Sequence, residues 1–350
     1  MPTTPAQRSE NELIAVARHG DEGAYRALVE RHRGELHAHA YRMLGSVHDA
    51  EDAMQDALLR AWRGLPRFDG RSSLRSWLYR IVTNTCLDLI GKRPKRVLPI
   101  DHGPSSDAHD GPGPPLLEQI WIEPYPDEQL GLMDGRAAPE ARYEARESVE
   151  LAFVAALQHL PARQRAVLIL REVLGYSANE VADTLETSTP AVNSALQRAR
   201  KTIDETLPER SQQETLRTLG DDRVREMVEG YMAAWERGDV EAVTSMLAED
   251  ATITMPPMAT WFQGEGVEIF LTEWAFSGRA YNAEGRRNVR VLRAHANGQP
   301  AVGTYSWDDE RGAHLPTVLQ VLTFDGDRIT EITGFVDPSV FPRFGLPERL

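Results

Sequence analysis

Residues 176–203 read YSANEVADTLETSTPAVNSALQRARKTI, a pattern that predicts two short helices joined by a three-residue turn. Ser177 followed by Glu180 is a capping box, which starts the first helix. Ser188 or Thr189 can cap the second helix, and Pro190 suits a first helical turn. The apolar face of the second helix comprises Val192, Leu196, Ala199 and Ile203. This arrangement is typical of a helix-turn-helix, although an ordinary helical hairpin with a solvated face has the same pattern.

The outer face of the second helix is polar and basic, as expected for a helix that enters a DNA major groove. Asparagine and glutamine can hydrogen-bond adenine edges, and arginine and lysine can bond guanine or phosphate oxygens. The candidate DNA-binding residues on and beside this face are Ser188, Thr189, Pro190, Asn193, Ser194, Gln197, Arg198, Arg200 and Lys201.

The charge of the chain is unevenly distributed, which matters more than its formal net value of -14 over 350 residues. The net charge is +4 over residues 1–100, -8 over 101–147, -1 over 148–220 and -9 over 221–350. A single cysteine, Cys86, excludes an intrachain disulfide and supplies no zinc site. With no long apolar run and no apolar signal segment, we expect a cytoplasmic protein without a membrane partner.

Periodicity and composition divide the chain into four segments. Helical patterns occupy residues 11–97 and 141–206, and an acidic, proline- and glycine-rich linker joins them over residues 98–140. The linker has one apolar island, LLEQIWIEPYPDEQL (116–130), which we expect to dock on another surface. Residues 221–350 begin with helices and continue with alternating segments and NG and DG turns, which predict an α+β domain of antiparallel hairpins.

Both helical segments resemble parts of bacterial RNA polymerase sigma factors. Residues 151–203 resemble region 4, and DAEDAMQDALLRAW (49–62) and RFDGRSSLRSWLYRIVTNTCLDLI (67–90) resemble region 2. The region 4 hallmark is present as Leu160, Pro161, Gln164, Arg165, Val167 and Leu170. Two such matches with no domain between them resemble the extracytoplasmic-function class. The resemblance implies two all-α modules that bind the clamp helices and flap of core RNA polymerase and direct initiation at promoter DNA, without cofactor, metal or enzymatic activity.

The resemblance also implies which residues contact each partner. The outer face of residues 49–62 would bind the polymerase through Glu51, Asp52, Gln55 and Asp56, although alone it reads as a solvated acidic face. Promoter melting at the minus-10 element is implied for Phe68, Arg71, Ser72, Ser73, Arg75, Trp77, Tyr79, Asn84, Asp88, Lys92 and Arg93, with Lys95 and Arg96 as further phosphate contacts. Trp77 has a core position as its alternative.

Three features depart from or extend the family pattern. Asn193 and Ala195 occupy positions where basic residues are usual, and Glu186 stands where a turn glycine is usual. The acidic linker resembles those that thread the RNA exit channel, and a plain tether is the alternative.

The last 130 residues resemble the SnoaL-like cone fold and the ketosteroid isomerases, over about residues 224–336. The isomerase's oxyanion-donating tyrosine aligns with Tyr231, its general base with Met255, and its second oxyanion acid falls near Gln320. A thioether cannot act as a base, so proton transfer is not expected. The candidate pocket or core residues are Tyr231, Trp235, Met255, Trp261 and Gln320, with Met258 and Trp274 beside them.

A sigma factor with such a fused domain resembles the sigma-G-like subgroup and implies control in cis, with a small-molecule ligand as a possible partner of the cone. Two alternatives stay open: a ligand-sensing DNA-binding regulator that works without polymerase, and a bifunctional protein with residual activity in its last domain.

Overall fold

The computed structural model describes residues 9–116, 121–130, 144–277 and 288–350. The chain divides into two compact units. The first unit comprises residues 1–95, 129–137 and 156–207, and the second comprises residues 96–128, 138–155 and 208–350. Within the described ranges, no helix is both long and apolar enough to cross a membrane.

The first unit is all-helical, as the sequence predicts. Its first five helices are α1 (Glu10–Ala17), α2 (Glu22–Glu30), α3 (Arg33–Leu44), α4 (Val47–Gly64) and α5 (Leu74–Ile90). Four further helices are α6 (Leu151–His159, whose first residues belong to the second unit), α7 (Ala162–Leu168), α8 (Ala178–Thr184) and α9 (Thr189–Thr206). The chain makes a π-helical turn at Ile169–Val173, directly after α7.

Small side chains let α3, α4 and α5 pack closely around one core. The buried stripe of α4 is mostly alanine, comprising Ala50, Ala53, Met54, Ala57 and Ala61. The side chain of Ser46 caps α4 and that of Ser73 caps α5, so Ser73 rather than Ser72 begins the second of these helices.

The helix-turn-helix forms from the residues that predict it. Ser177 and Glu180 make both hydrogen bonds of the capping box at the start of α8. Ser188 is the residue that caps α9, which places Pro190 in its first turn. Glu186, in the turn, has a φ of 51°, a left-handed conformation that is unfavourable for a residue with a side chain.

The described part of the second unit has three α-helices before its sheet and a fourth between the second and third strands. The helices are α10 (Gln212–Leu219), α11 (Asp221–Arg237), α12 (Val240–Ser245) and α13 (Glu265–Phe270). The strands are β1 (Leu247–Thr254), β2 (Trp261–Gln263), β3 (Val289–Ala296), β4 (Gln299–Asp308), β5 (Ala313–Asp325) and β6 (Arg328–Phe335).

The six strands form one sheet in the order β2-β1-β6-β5-β4-β3. The predicted antiparallel hairpins form, and one pair of strands departs from the antiparallel expectation: β1 pairs in parallel with β6, while the other neighbours are antiparallel. Hairpin turns fix the direction of successive strands, whereas β1 and β6 lie at opposite ends of the domain sequence and no hairpin constrains their pairing.

The linker is packed against the C-terminal domain, so it is not the plain tether that the sequence left as an alternative. Ser106 donates a backbone hydrogen bond of 2.8 Å to the carbonyl oxygen of Trp261, and the Trp261 indole donates one of 2.8 Å to that of Gly103. Ala108 lies in the same hydrophobic core as α11 and the sheet. The described linker residues 96–116 and 121–128 therefore belong to the second unit.

Candidate nucleic-acid interface

The outer face of α9 is exposed in the way that the helix-turn-helix interpretation requires. Val192, Leu196, Ala199 and Ile203 are buried on its inner face. Thr189 is half-buried and donates a hydrogen bond of 2.9 Å to the side chain of Asn179. The other candidates are exposed, namely Ser188, Pro190, Asn193, Ser194, Gln197, Arg198, Arg200 and Lys201.

The basic side chains of α9 are held by weak surface contacts. Arg198 donates to the Ser194 hydroxyl at 2.6 Å, Arg200 pairs with Glu172 at 2.8 Å, and Lys201 lies 3.9 Å from the Glu205 carboxylate. Exposed ion pairs of this kind contribute about 0–1 kcal/mol each. They can therefore be exchanged for phosphate contacts at little cost.

The acidic face of α4 is also fully exposed. Glu51, Asp52, Gln55 and Asp56 all point away from the core of the unit. Leu59 continues this face and is 50% exposed. The sequence pattern did not predict that this leucine is exposed. Its spacing of four residues from Gln55 nevertheless places both side chains on the same face of the helix.

The candidate minus-10 residues fall into three classes of exposure. Phe68 and Tyr79 are buried, and Arg75, Trp77 and Asn84 are half-buried. The exposed members are Arg71, Ser72, Ser73, Asp88, Lys92 and Arg93.

Two of these residues support each other beside Gly64. The rings of Trp77 and Phe68 lie 5.1 Å apart, and a side chain at Gly64 would come within 3.2 Å of the Trp77 ring. The glycine therefore allows the indole to lie against α4. Because Trp77 is half-buried, part of its ring packs in the core and part is exposed at the surface.

Arg75 is the centre of a charged and aromatic cluster. Its guanidinium binds the Glu35 carboxylate at 2.7 and 2.8 Å and lies over the ring of Tyr79 at 4.8 Å. Burial opposes ionisation of Glu35, but hydrogen bonds from His32 and Arg75 hold its pKa below the usual value. The Tyr176 ring, from the helix-turn-helix module, lies 5.9 Å from the same guanidinium.

Two further contacts join the helix-turn-helix module to α5 and α3 within the first unit. Arg80 on α5 pairs with Glu186 in the helix-turn-helix turn at 2.9 Å. The buried guanidinium of Arg165 donates to the Met43 carbonyl oxygen and to the Gln158 side chain, the latter at 2.6 Å. Burial lowers the pKa of Arg165 to about 10. The hallmark arginine thus ties the two modules together through carbonyl oxygens.

The five candidate pocket residues do not line one cavity. Tyr231 donates a hydrogen bond of 2.6 Å to the side-chain oxygen of Gln320, and both residues are buried with Met255. Trp261 bonds the linker, as described above. Trp235 lies in the wall of a cavity of about 340 Å³ with Phe276 and Thr304.

The NG turn between β3 and β4 is buried under the linker and under the residues directly before α6. Asn297 and Gly298 have φ values of 57° and 70°, as a two-residue hairpin turn requires. The Asn297 side chain accepts a hydrogen bond from the Tyr125 N–H and donates one to the Val149 carbonyl oxygen, both at 2.8 Å. We name the contacts of this turn with Tyr125, Asp127 and Val149 the linker clasp.

A half-buried carboxylate, Asp127, and a buried one, Glu150, lie at the linker clasp. Asp127 accepts a hydrogen bond of 2.7 Å from the Gly298 N–H, and burial raises its pKa to about 6. Glu150 accepts hydrogen bonds from the N–H groups of Gln212 and Gln213 at 3.0 and 2.6 Å, and burial raises its pKa to about 7. Both acids are therefore less readily ionised in the folded unit than in solution.

Three family models match separate parts of the chain. Residues 28–96 match the Sigma-70 region 2 family, residues 150–203 match Sigma-70, region 4, and residues 228–332 match the SnoaL-like domain. The chain is 42% identical over 328 residues to the ECF RNA polymerase sigma factor SigG of Mycobacterium tuberculosis, covering 94% of this chain and 85% of that protein.

Of two further similar proteins, one matches about half of the chain and the other matches most of it. The ECF RNA polymerase sigma factor SigM of Mycobacterium tuberculosis is 33% identical over 194 residues, covering 55% of this chain and 82% of that protein. The crystal structure of the sigma factor SigJ of the same organism has a TM-score of 0.56 at 23% identity, covering 91% of this chain and 98% of that one. The second likeness extends to the fold of the C-terminal domain.

Proposed function

The chain belongs to the extracytoplasmic-function class of RNA polymerase sigma factors, and from this premise we propose how its surfaces share the work of initiation. It binds core RNA polymerase and promoter DNA and directs promoter-specific initiation. Because polymerase and promoter are in the cytoplasm, we place its action there. We further propose which residues contact the polymerase and which contact the promoter.

The acidic face of α4 is proposed to contact the polymerase clamp helices. Its exposed carboxylates, Glu51, Asp52 and Asp56, precede the exposed side chain of Leu59 on the same helix. Protein interfaces commonly combine an apolar contact with polar residues beside it. This exposed face on the core-binding helix is the single observation that carries the sigma-factor assignment to particular residues.

The exposed face of α9 is proposed to read the minus-35 element. Asn193, Gln197 and Arg198 are suited to base edges, and Arg200 and Lys201 to phosphates. The unusual Asn193 removes one positive charge from this face, so binding should depend less on salt than in relatives that have a basic residue there.

The residues after Arg67 are proposed to bind the melted minus-10 strand. Arg71, Ser72 and Lys92 are exposed and available, whereas Arg75 is engaged by Glu35 and lies close to Tyr176. Full use of this surface therefore requires the Tyr176 and Glu186 contacts with α5 to be broken. We propose that the compact first unit is a resting state and that polymerase binding opens it.

The C-terminal domain is proposed to restrain the protein in cis by holding the linker. In its family such a linker enters the RNA exit channel, which it can do only when it leaves the second unit. The linker clasp, in which Tyr125 and Asp127 of the linker bond the Asn297–Gly298 turn, supports a restraining role.

We propose that this domain has no isomerase activity. Tyr231 faces the amide of Gln320, and Met255 occupies the position that aligns with the base. Neither the amide of Gln320 nor the thioether of Met255 can abstract a proton. A bifunctional protein would need another acid and base in the cone.

The sigma-factor proposal is tested by binding to purified core polymerase. Charge reversal at Asp52 or Asp56 to lysine should weaken binding about tenfold or more, because attraction becomes repulsion. Leu59→Ala should cost about 1.5 kcal/mol, roughly tenfold, from lost apolar burial. Glu310→Lys, at an exposed turn of the second unit, is the matched control and should leave binding unchanged.

The same assay separates the sigma factor from a polymerase-independent regulator. Wild-type protein that binds duplex promoter DNA equally well with and without core enzyme, and that gives no run-off transcript, would support the regulator instead. Equal core binding by all four variants would remove α4 from the interface.

A further inference from the structure

The linker follows one edge of the sheet in the second unit and is bonded there through its backbone. β2 stands at the end of the strand order, so no other strand covers its outer side. The Ser106 N–H donates a hydrogen bond of 2.8 Å to the Trp261 carbonyl oxygen, and the Leu116 N–H donates one of 3.0 Å to the Pro257 carbonyl oxygen. Peptides that bind at a sheet edge use the same kind of backbone bonds.

Two side chains of the domain also bond the linker backbone. The Trp261 indole donates to the Gly103 carbonyl oxygen at 2.8 Å, and the Thr260 hydroxyl donates to the Pro112 carbonyl oxygen. All four bonds involve main-chain groups of the linker, so they give affinity without selecting side chains. We name the surface formed by Pro257, Thr260, Trp261 and Trp274 the linker docking site.

Ala108 is the linker residue that enters the core of the domain. It is only 3% exposed and belongs to one hydrophobic cluster with Phe262 and Phe270. Gly266 of α13 leaves room for it, since a Cβ added at Gly266 would lie 3.8 Å from the Ala108 Cβ. A larger or charged side chain at position 108 would therefore have to displace this core.

Gly111 is required at its position for two independent reasons. Its φ of 77° and ψ of -170° lie in a region of backbone conformation that is essentially open to glycine alone. A Cβ at Gly111 would also come within 2.6–2.7 Å of three ring atoms of Trp274, far inside the carbon–carbon contact distance of about 3.5–4.0 Å. The segment is thus recognised by its shape, through a small residue at 108 and a glycine three positions later.

The polar side chains of the segment contribute little to the contact. His109 lies 3.3 Å from the Glu273 carboxylate, but the two side chains are 61% and 40% exposed, and exposed pairs of this kind add little affinity. Asp110 is exposed. The fit therefore depends on the linker backbone, on Ala108 and on Gly111.

We propose that the linker docking site is a peptide-binding site, that the linker is its removable occupant, and that a vacated site binds the same segment of a second copy of the chain. The peptides that fit are extended, rich in glycine and proline, and carry a small apolar residue three positions before a glycine. This site shares no residue with the linker clasp. The inference rests on the proposed restraint of the linker only for its regulatory role, and its binding test contains no polymerase.

The affinity expected for a separate peptide follows from the tethering of the linker. A segment tethered to its own domain has an effective concentration in the millimolar range. It stays docked only when its dissociation constant as a free peptide lies below this concentration, so we expect a Kd below about 1 mM. A vacated site should therefore bind the free peptide saturably.

The test first vacates the site in the full-length chain. Gly111→Ala should release the segment, so that hydrogen exchange at the Ser106 and Leu116 N–H groups becomes about tenfold faster or more. Gly103→Ala is the matched control, because a Cβ there meets no atom within 4 Å, and exchange should stay unchanged. Ala108→Asp vacates the site for a different reason, the cost of burying a charge.

A fluorescein-labelled peptide of residues 102–116, HGPSSDAHDGPGPPL, is then titrated with each chain up to 1 mM. Fluorescence anisotropy should show saturable binding to the Gly111→Ala chain and at least about tenfold weaker binding to the wild-type chain, whose site is occupied. Peptides with Gly111→Ala or Ala108→Asp should bind the vacated chain at least about tenfold more weakly. The Asp110→Asn peptide, changed at an exposed position, should bind as well as the unchanged one.

Three results overturn the proposal: unchanged exchange in the Gly111→Ala chain, no saturation of the vacated chain by the unchanged peptide, or equal affinity for this peptide and its Gly111→Ala form. Loss of the fold in both vacated variants overturns it as well, because the segment would then be an inseparable part of the domain. Run-off transcription separates this inference from the proposed restraint. Peptide binding as expected, with unchanged transcription by the Gly111→Ala chain, would support the docking site and refute restraint through it.

Discussion

Replacing Asn297 by alanine should open the linker clasp while leaving the sheet folded. The side chain makes two hydrogen bonds of 2.8 Å, one with the Tyr125 N–H of the linker and one with the Val149 carbonyl oxygen directly before α6. Asn297 is fully buried, so water does not replace these bonds in the closed clasp. The substitution therefore acts where the linker and the residues before α6 meet the turn.

The expected cost follows from the geometry. Two neutral hydrogen bonds at about 1 kcal/mol each give about 2 kcal/mol. A φ of 57° costs alanine about 1 kcal/mol more, because its Cβ approaches the following carbonyl oxygen. Asn297→Ala should thus lose about 3 kcal/mol, whereas Asn297→Gly avoids the backbone term and should lose about 2 kcal/mol.

Hydrogen exchange measured by mass spectrometry checks these values. The N–H groups of Gly298 and Ile122 keep their own acceptors, Asp127 and Val97, in both variants. Their exchange therefore reports opening of the clasp and not the loss of a direct bond. A cost of 3 kcal/mol predicts exchange faster by about 150-fold in Asn297→Ala, and 2 kcal/mol predicts about 30-fold in Asn297→Gly.

The functional consequence is measured by run-off transcription with purified core enzyme. If the domain restrains the linker, Asn297→Ala should give more transcript than wild type. Asn288→Ala, at an exposed position before β3, is the control for both assays. Unchanged exchange at Gly298 and Ile122 would refute the clasp, and faster exchange with unchanged transcription would refute its restraining role.

Two further predictions concern stability. Arg165→Met should lower the free energy of unfolding of the first unit by about 2–4 kcal/mol, because the Gln158 side chain loses its buried donor. Arg163→Met, at an exposed position on the same helix, should change this free energy little. Chemical denaturation measures both variants. The raised pKa values of Glu150 (about 7) and Asp127 (about 6) mean that each acid adds stability below its unfolded pKa and loses it as pH rises through the folded value. Stability of the second unit should therefore fall between about pH 4 and pH 7, and Glu150→Gln should flatten this slope, whereas an unchanged slope would contradict the assignment.

Local structure was predictable because its causes are local. The Ser177–Glu180 capping box, the alanine stripe of α4 and the hairpin turn at Asn297 and Gly298 each depend on residues within a few positions of one another. Caps and turns of this kind are specified by side chains that bond their own neighbouring backbone. The sequence therefore predicts where these elements begin, with the uncertainty between Ser188 and Thr189 as a one-residue difference.

The linker clasp was not predictable, because its partners lie far apart in sequence. Asn297 and Tyr125 are separated by 172 positions, and periodicity carries no information on such pairs. A turn residue is ordinarily placed at the surface, so nothing in the sequence indicated that this one is buried. Glu186 shows the same limit: its unfavourable turn position was visible, but its pairing with Arg80, 106 positions away, was not.

The contacts that close the first unit have a strength suited to a resting state. The Arg80–Glu186 pair joins two exposed residues and contributes about 0–1 kcal/mol, and the Tyr176 ring beside Arg75 adds about 0.5–1 kcal/mol. The buried Arg165 contacts add a few kcal/mol more. A nanomolar partner supplies about 12 kcal/mol, which exceeds this sum. On the proposed scheme, core polymerase separates the modules by binding each of them, and the promoter contacts proposed for α5 form only after that step.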